Sequence, residues 1–273
     1  MPSIKTAYHL INFGVCPDRS EDQNIRDIRN IGYEGVESIK IDYDADPSLV
    51  RDKLEKARLA LAALSVPMFL MGTDDQQLAG IAKKQIAMAR ALGCSVTVGF
   101  ASRTDGKNIH VYGTADEHYQ EAGRRLNLLG KMLAESGVSL CLHNHIDNMT
   151  ESLEEMEILM HETNEEWVSI CFDTAHAVCG HSDPVIYAQR FSKRIRHLHL
   201  KDTKNLLFGR PYFFKNVFLP LGEGVIDFPG VMDALPDYKG WVTVELDATF
   251  SQGDPLKEAR ISLDYLRKLL AAR

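Results

Sequence analysis

Short apolar segments alternate along the chain with longer segments in which apolar residues recur at helical spacing. The apolar segments are nearly continuous, which is typical of strands buried on both faces of a sheet. Eight such strands are predicted, at residues 4–10, 35–39, 64–70, 95–100, 138–143, 168–173, 195–200 and 241–246. Eight amphipathic helices are predicted near 20–31, 47–62, 74–92, 115–136, 150–163, 183–193, 227–235 and 254–272.

Glycine, aspartate and proline mark the ends of several predicted helices. Gly32, Gly93 and Gly137 follow helical segments, where a glycine commonly forms the C-terminal cap. Three Asp-Pro pairs place an acidic N-cap before a first-turn proline, at 46–47, 183–184 and 254–255. These signals support the predicted helix boundaries.

Eight strand–helix units of about 34 residues each favour a single (β/α)8 TIM barrel, an α/β fold. No stretch rich in Pro, Gly and Ser separates two parts of the chain, so we expect one domain over residues 1–273. A doubly wound open sheet is the alternative. That fold usually carries a glycine-rich phosphate loop after its first strand, and residues 12–15 (NFGV) do not form one.

The charge balance, with 31 Lys and Arg against 38 Asp and Glu, gives a net charge of −7 and disfavours non-specific nucleic-acid binding. We find neither an apolar stretch of the roughly 18 residues that a membrane span needs nor a signal peptide. The five cysteines form no CxxC pair, which is typical of reduced thiols. We therefore expect a cytoplasmic protein without nucleic-acid or membrane partners.

An oversized, aromatic-rich connection follows the seventh strand and carries Lys204, Arg210 and Lys215. In a barrel it would lie on the face where active sites are built. Residues 203–224 are therefore predicted to form a lid over substrate, a protein–protein contact, or both.

Side chains that bind metals cluster at the carboxyl ends of strands five to eight. They are His143 and His145, Asp173 and His176, His197, His199 and Lys201, and Glu245 and Asp247. Imidazole and carboxylate ligands together suit Mn²⁺, Co²⁺, Fe²⁺ or Zn²⁺ better than Mg²⁺. The sequence therefore predicts a divalent metal site at the barrel mouth.

Strand periodicity does not choose every ligand, because residues i and i+2 share a face. Asp173 and Glu245 follow continuous apolar runs and are the firmest candidates. A single strand histidine is more often a hydrogen-bonded core residue, and we expect this of His197. Glu37, on the second strand, is a candidate pocket residue or a barrel-mouth salt bridge. Asp247 is expected to support Glu245 from outside the metal shell.

The chain resembles the xylose-isomerase-like (β/α)8 barrel superfamily of sugar and sugar-phosphate isomerases and epimerases, which includes inosose dehydratases and endonuclease IV. The motifs that carry the resemblance are GYEGVES (32–38), ALSVPMF (63–69), HNH (143–145), DTAH (173–176), HLHLKD (197–202), LGEGVIDF (221–228) and VTVELD (242–247). Their order and spacing cover essentially the whole chain. They identify the superfamily without identifying a substrate.

The resemblance implies a divalent ion, often Mn²⁺, held by one residue from each of four strand ends. Carried onto this chain, the ligands are His143, Asp173, His199 and Glu245. The resemblance also implies that His176 and Lys201 contact substrate, and we add Glu37 as a third candidate contact.

One position departs from the pattern of many epimerases in this superfamily. They carry a glutamate that also acts as a base where this chain has His143. This difference disfavours symmetric two-glutamate epimerisation and resembles the inosose-dehydratase branch.

Such a site predicts chemistry on a keto-sugar, a sugar phosphate or a related polyol. A metal polarises the carbonyl, and Glu245 or His145 removes the α-proton to give a metal-bound enediolate. Isomerisation, epimerisation and dehydration all follow from that intermediate. We expect an isomerase or epimerase, with an inosose or keto-polyol dehydratase as the alternative.

Two other classes of function fit the sequence less well. An endonuclease IV-like DNA-repair enzyme needs further histidines on strands two to four, and residues 69–71 and 99–100 contain none. A non-catalytic sugar-binding barrel is disfavoured by the intact Asp173, His199 and Glu245. Barrels of this size often pair, so a homodimer is a further expectation.

Overall fold

The structure is a computed structural model that describes residues 4–14, 16, 18–66, 72–103, 115–204, 217–247 and 253–272. Its main sheet contains nine strands: β1 (Lys5–His9), β2 (Gly35–Glu37), β3 (Ala60–Leu61), β4 (Leu64–Ser65), β5 (Val96–Gly99), β6 (Ser139–His143), β7 (Val168–Asp173), β8 (Ile195–Leu200) and β11 (Trp241–Val244). Two short strands, β9 (Asp202–Thr203) and β10 (Phe218–Leu219), form a separate antiparallel pair.

The nine strands form a nearly closed parallel barrel, in the order β3-β2-β1-β11-β8-β7-β6-β5-β4. β3 and β4 are at the two ends of this order. They follow each other in the chain and together occupy the third strand position of the barrel. Ala62 N donates to Val36 O on one side, and Val66 N donates to Val98 O on the other. The barrel prediction is confirmed, and the open-sheet alternative is excluded by the pairing of β1 with β11.

Helices follow most of the strands and cover the outside of the barrel. They are α1 (Glu21–Ile31), α2 (Ser48–Ala57), α3 (Asp75–Leu92), α4 (Asp116–Ala134), α5 (Leu153–His161), α6 (Thr174–Cys179), α7 (Pro184–Phe191), α8 (Phe228–Asp233) and α9 (Pro255–Ala271). Among the described residues, none of these helices combines the length and apolar character that a bilayer span needs.

The structure confirms some of the predicted helix caps and contradicts two of them. Asp183 accepts hydrogen bonds from Val185 N and Ile186 N at the start of α7. By contrast, Pro47 is the N-cap of α2, because the Asp46 side chain accepts from Ser48 N in a turn before the helix. Gly137 lies beyond the end of α4, whose C-cap is Glu135.

The barrel interior narrows to a layer of small side chains beneath the carboxyl ends of the strands. Ala63, Val98, Cys141 and Cys171 pack together there, each at most 2% exposed. This layer closes the barrel as a packed core. The layer therefore separates the polar side chains above it from the amino-terminal face of the barrel.

Candidate active site

Four strand ends place imidazole and carboxylate side chains around one point above the interior layer. His143 and Asp173 are the last residues of β6 and β7, His199 is near the end of β8, and Glu245 follows β11. The register pairs Asp173 with His199 directly across neighbouring strands. Parallel strands that end at one rim thus bring together residues far apart in sequence.

The four side chains each offer one ligand atom, and these atoms all lie within 4.8 Å of one another. His199 Nδ1 is 3.0 Å from His143 Nε2 and 3.0 Å from Glu245 Oε2. His143 Nε2 is 3.7 Å from Asp173 Oδ2. All four residues are buried, with exposures of 0 to 6%.

Asp173 is oriented by its own local structure. Its Oδ1 atom accepts a hydrogen bond from His176 N, 2.8 Å away, and so caps the short helix α6. Its backbone is fixed by Asn144, whose amide accepts from Asp173 N and donates to Asp173 O. The cap uses one carboxylate oxygen and leaves Oδ2 directed at the cluster.

The buried carboxylate oxygens of the cluster and its set of ligand atoms fit a bound metal ion. Asp173 Oδ2 and Glu245 Oε2 are fully buried and share one ammonium, Lys201 Nζ, which lies 3.2 Å from each. Two buried carboxylates that share a single ammonium are costly, and a divalent cation between them would lower that cost. Two nitrogen and two oxygen ligands suit Zn²⁺, Mn²⁺, Fe²⁺ or Co²⁺.

Two other residue groups have similar spacing but fit a metal less well. Cys171 lies within the same distance of His143 and His199, but it packs in the interior layer with Ala63, Val98 and Cys141, and burial raises the pKa of its thiol to about 12. The group of His9, Glu37 and His199 uses carboxylate oxygens that already accept hydrogen bonds. The four-residue cluster is therefore the better site.

The pKa shifts follow from burial and from the mixture of charges. Burial raises the pKa of the Asp173 carboxyl to about 6, an effect partly offset by the Lys201 ammonium. Burial and the nearby His199 hold the pKa of His143 well below its usual value, which keeps that imidazole neutral and free to bind a metal. Burial also acts to raise the pKa of Glu245, but the charges around it, led by His9, hold that pKa well below the usual value.

Glu37 lies under the cluster, with both oxygens engaged by protein groups. Its Oε1 is 3.0 Å from His199 Nε2, and its Oε2 is 2.9 Å from His197 Nε2. Thr243 Oγ1 also donates to Oε2, at 2.8 Å. Only 1% of Glu37 is exposed. This geometry favours support of His199 over the substrate contact that the sequence suggested.

Lys201 is fully buried and surrounded by carboxylates. Its Nζ atom is 2.7 Å from Asp247 Oδ2 and 3.2 Å from both Asp173 Oδ2 and Glu245 Oε2. Burial alone would lower the pKa of this ammonium, but the three carboxylates raise that pKa well above its usual value. The protein contacts of Lys201 are with the ligand carboxylates, Asp247 and His176, and its contact with substrate stays a prediction.

His145 and His176 form a second layer beside the cluster. Their ring centroids are 3.9 Å apart, and His176 Nε2 is 3.4 Å from Asp247 Oδ2. Burial is the largest cause lowering the pKa of both rings, so both are neutral near pH 7. His145 and Asp247 are only partly buried, which places them at the open side of the site.

Backbone strain accumulates just beyond the strand ends. Ser38, Asp147 and Asp247 have φ angles of 59°, 62° and 50°, in the left-handed region that non-glycine residues rarely adopt. Such residues concentrate at functional sites because the surrounding structure must hold them there. The strain marks the same rim as the cluster.

Several residues that orient the site were not predicted from the sequence. Asn144, in the HNH motif, fixes Asp173, and Thr243 fixes Glu37. Asn12 accepts from Leu246 N and so holds the chain beside Glu245. The sequence signal for these roles is weak, because it consists of a single polar residue in or beside an apolar segment. Most of the predicted lid lies outside the described residues, since 205–216 are not among them.

The family model described as the xylose isomerase-like TIM barrel matches residues 25–269. The chain belongs to this family. An inosose dehydratase of Mesomycoplasma hyopneumoniae (strain J) is 29% identical over 274 residues, covering 93% of this chain and 90% of that protein.

Two solved structures show the same fold. An L-ribulose 3-epimerase has a TM-score of 0.76 at 17% identity and covers 98% of this chain and 95% of its own. The IOLI protein, solved with a bound zinc atom, has a TM-score of 0.74 at 16% identity and covers 98% and 99%.

Proposed function

We propose that this protein is a divalent-metal-dependent dehydratase of a keto-polyol of the inosose type. The similarity to an inosose dehydratase along nearly the whole of both chains supports this assignment over the isomerase or epimerase that we first expected. The observation that carries the choice is the ligand set. His143 faces the cluster where symmetric epimerisation would need a second glutamate, so Glu245 is the only glutamate among the four.

The proposed ligands are His143, Asp173, His199 and Glu245. When bound, the metal polarises the substrate carbonyl and makes the neighbouring C–H more acidic. Zn²⁺ and Mn²⁺ both suit this donor set, and the zinc atom in the IOLI protein structure supports the presence of a metal in this fold. A keto-polyol would enter from the open side, past His145 and Asp247.

We assign proton abstraction to His145. Its pKa is lowered chiefly by burial, so the ring is neutral and can accept the α-proton, whereas Glu245 is held ionised as a ligand. The electron pair of the broken C–H bond moves into the carbonyl to form an enediolate. The enediolate electrons then form a double bond to the next carbon and expel its hydroxyl group, which takes the proton held by His145 and leaves as water.

Turnover of an inosose tests this function. Chain purified and supplied with Mn²⁺ or Zn²⁺ is incubated with 2-keto-myo-inositol in D₂O, and the products are analysed by mass spectrometry. The proposal predicts a product that has lost one water. A product that keeps all its oxygen atoms and has exchanged one hydrogen for deuterium would instead support an isomerase or epimerase.

Two variants separate the proposed roles. Glu245→Gln should abolish both metal binding and turnover, because it removes a ligand charge. His145→Gln should keep metal binding and lose turnover by roughly 10²-fold or more, as expected for a missing general base. Full turnover in His145→Gln would remove that residue from the mechanism.

A further inference from the structure

A cavity opens at the amino-terminal ends of the barrel strands, on the face opposite the cluster. Its volume is 780 Å³, and its lining includes the first residues of β1, β5, β6, β8 and β11. Ile195 lines this cavity, and His199 lies four residues further along the same strand. At about 3.3 Å per residue, roughly 13 Å separates the cavity from the cluster.

Positive charge dominates the walls of this cavity. Lys5, Lys193, Arg196 and Lys239 line it, against one carboxylate, Asp237. Within the part of the chain that the structure describes, none of these four cations forms an ion pair with an acidic side chain. On a chain with a net charge of −7, gathering unpaired cations creates a local field that attracts anions.

Neutral donors complete the lining. Ser95, Ser139 and Ser192 all border the cavity. Their hydroxyl groups make no hydrogen bond to another side chain or backbone group across the described residues. Hydroxyls and cationic nitrogens are the groups with which proteins bind phosphate oxygens.

Trp241 supplies a rigid wall. The edge of its ring packs against Gly35, where an added Cβ would lie 2.8 Å from Cζ3. Lys5 Nζ lies 5.2 Å from the ring centroid, which holds that ammonium at the cavity wall. A volume of 780 Å³ also falls within the range of cavities that hold small metabolites, roughly 300–1,000 Å³.

We propose that this cavity is a second ligand site, which binds a small polyanion carrying phosphate groups. Four cations are more than one monovalent anion needs, and the volume accommodates more than one phosphate group. The site does not depend on the proposed dehydratase activity, because it shares no side chain with the cluster.

Fluorescence of Trp241 provides a direct test. The chain has two tryptophans, so a Trp167→Phe background leaves Trp241 as the sole tryptophan reporter. Inorganic pyrophosphate is titrated at constant ionic strength. The proposal predicts a saturable change in Trp241 emission. Absence of a saturable change would overturn it.

A matched pair of variants assigns the signal to the cavity. Lys193→Glu with Arg196→Glu should weaken pyrophosphate binding by at least roughly tenfold, because two attractive charges become repulsive. Lys83→Glu with Lys257→Glu changes the net charge equally on exposed positions of α3 and α9 and should bind like the parent.

Chelation of metal by pyrophosphate affects both double variants alike, so their difference reports the cavity. Equal affinities in the two double variants would overturn the proposal. Circular dichroism checks that each variant is folded. The single changes Lys193→Gln and Arg196→Gln make the same test with a smaller perturbation, and unweakened binding in both would be equally contradictory.

Discussion

Among single residues, the proposed metal site depends on how buried charges are matched. Asp173 and Glu245 each direct a buried oxygen into the cluster, and the same Lys201 ammonium lies 3.2 Å from both. One lysine between two ligand carboxylates and Asp247 leaves an excess of negative charge. A divalent cation is the complement that this arrangement favours.

Glu37 provides the sharpest test of a positioning residue. Glu37→Gln removes the negative charge that accepts from His199 and His197, so the His199 ring loses its fixed orientation. We expect metal affinity to fall roughly 10- to 100-fold, as for other changes to groups that orient metal-binding histidines. The measurement is a competition titration against a chromophoric chelator.

Thr243→Val is the matched control for this change. It removes one hydrogen bond to Glu37 Oε2 and leaves the His199 contact intact, so metal affinity should change by less than in Glu37→Gln. If both variants bound metal like the parent, Glu37 would have no role in orienting His199.

The sequence predicted the cluster members better than their partners. His143, Asp173, His199 and Glu245 stand at the ends of apolar runs, so their convergence follows from the barrel topology. The role of Glu37 depends on a contact with His199 that spans 162 positions of the chain. No local pattern carries such a pairing, and for that reason the sequence left Glu37 between a pocket residue and a salt bridge.

Among the elements, most strand positions were predictable because most strand residues are buried on both faces. The third position differs: it is divided into β3 and β4, each with one exposed residue, and residues 67–70 of the predicted strand lie outside the described residues. The short helix α6 was missed because six residues are too few to show a helical period. The β9–β10 pair was missed for a similar reason, since each strand has two residues. These short elements are stabilised by specific side-chain contacts, which a local sequence pattern does not show.

Asp202 makes contacts of this kind, and it anchors the chain segment that follows β10. Its Oδ2 atom accepts from Gly222 N and Gly224 N at 2.9 and 2.8 Å, while Oδ1 accepts from Thr203 N and Ile226 N. Gly224 must be a glycine, because an added Cβ would lie 2.1 Å from Asp202 Oδ1.

Asp202→Asn should destabilise the fold by about 2–4 kcal/mol, because an amide NH₂ then faces backbone N–H groups that lose their acceptor. Urea denaturation measures the change. Asp183→Asn is the control, since asparagine caps helices as well as aspartate and α7 should keep its cap. Equal losses of stability in the two variants would contradict the anchoring role.

At the scale of the whole molecule, the barrel encloses its cysteines. Burial raises the pKa of Cys94 to about 11 and that of Cys171 and Cys179 to about 12, and it holds the pKa of Cys141 well above the usual value. Cys16 is the one cysteine that is not fully buried. Thiol reactivity therefore reports the integrity of the barrel.

We expect one fast-reacting thiol per native chain at pH 8, and none in Cys16→Ser. Thiol pKa values raised by folding also make the native state bind more protons than the unfolded state above the usual value of 9.0. The stability that these buried thiols contribute is complete below pH 9 and is lost as the pH rises toward 11–12. Two or more fast thiols at pH 8, or stability increasing from pH 9 to 10.5, would contradict this burial.

We further propose that residues 1–273 act as one barrel domain. The family match spans residues 25–269, and β1, which precedes that match, pairs with β11 to close the barrel. The two faces of this domain differ in chemistry. The carboxyl-terminal face gathers carboxylates and imidazoles, and the amino-terminal face carries the cationic cavity.

The central claim is that four side chains hold one divalent ion at the carboxyl-terminal face. Anomalous-scattering maps from crystals grown with Mn²⁺ test it most directly. We expect one peak within bonding distance of His143 Nε2, Asp173 Oδ2, His199 Nδ1 and Glu245 Oε2. A map with no peak among these four atoms, or with its peak between His9 and Glu37, would contradict it.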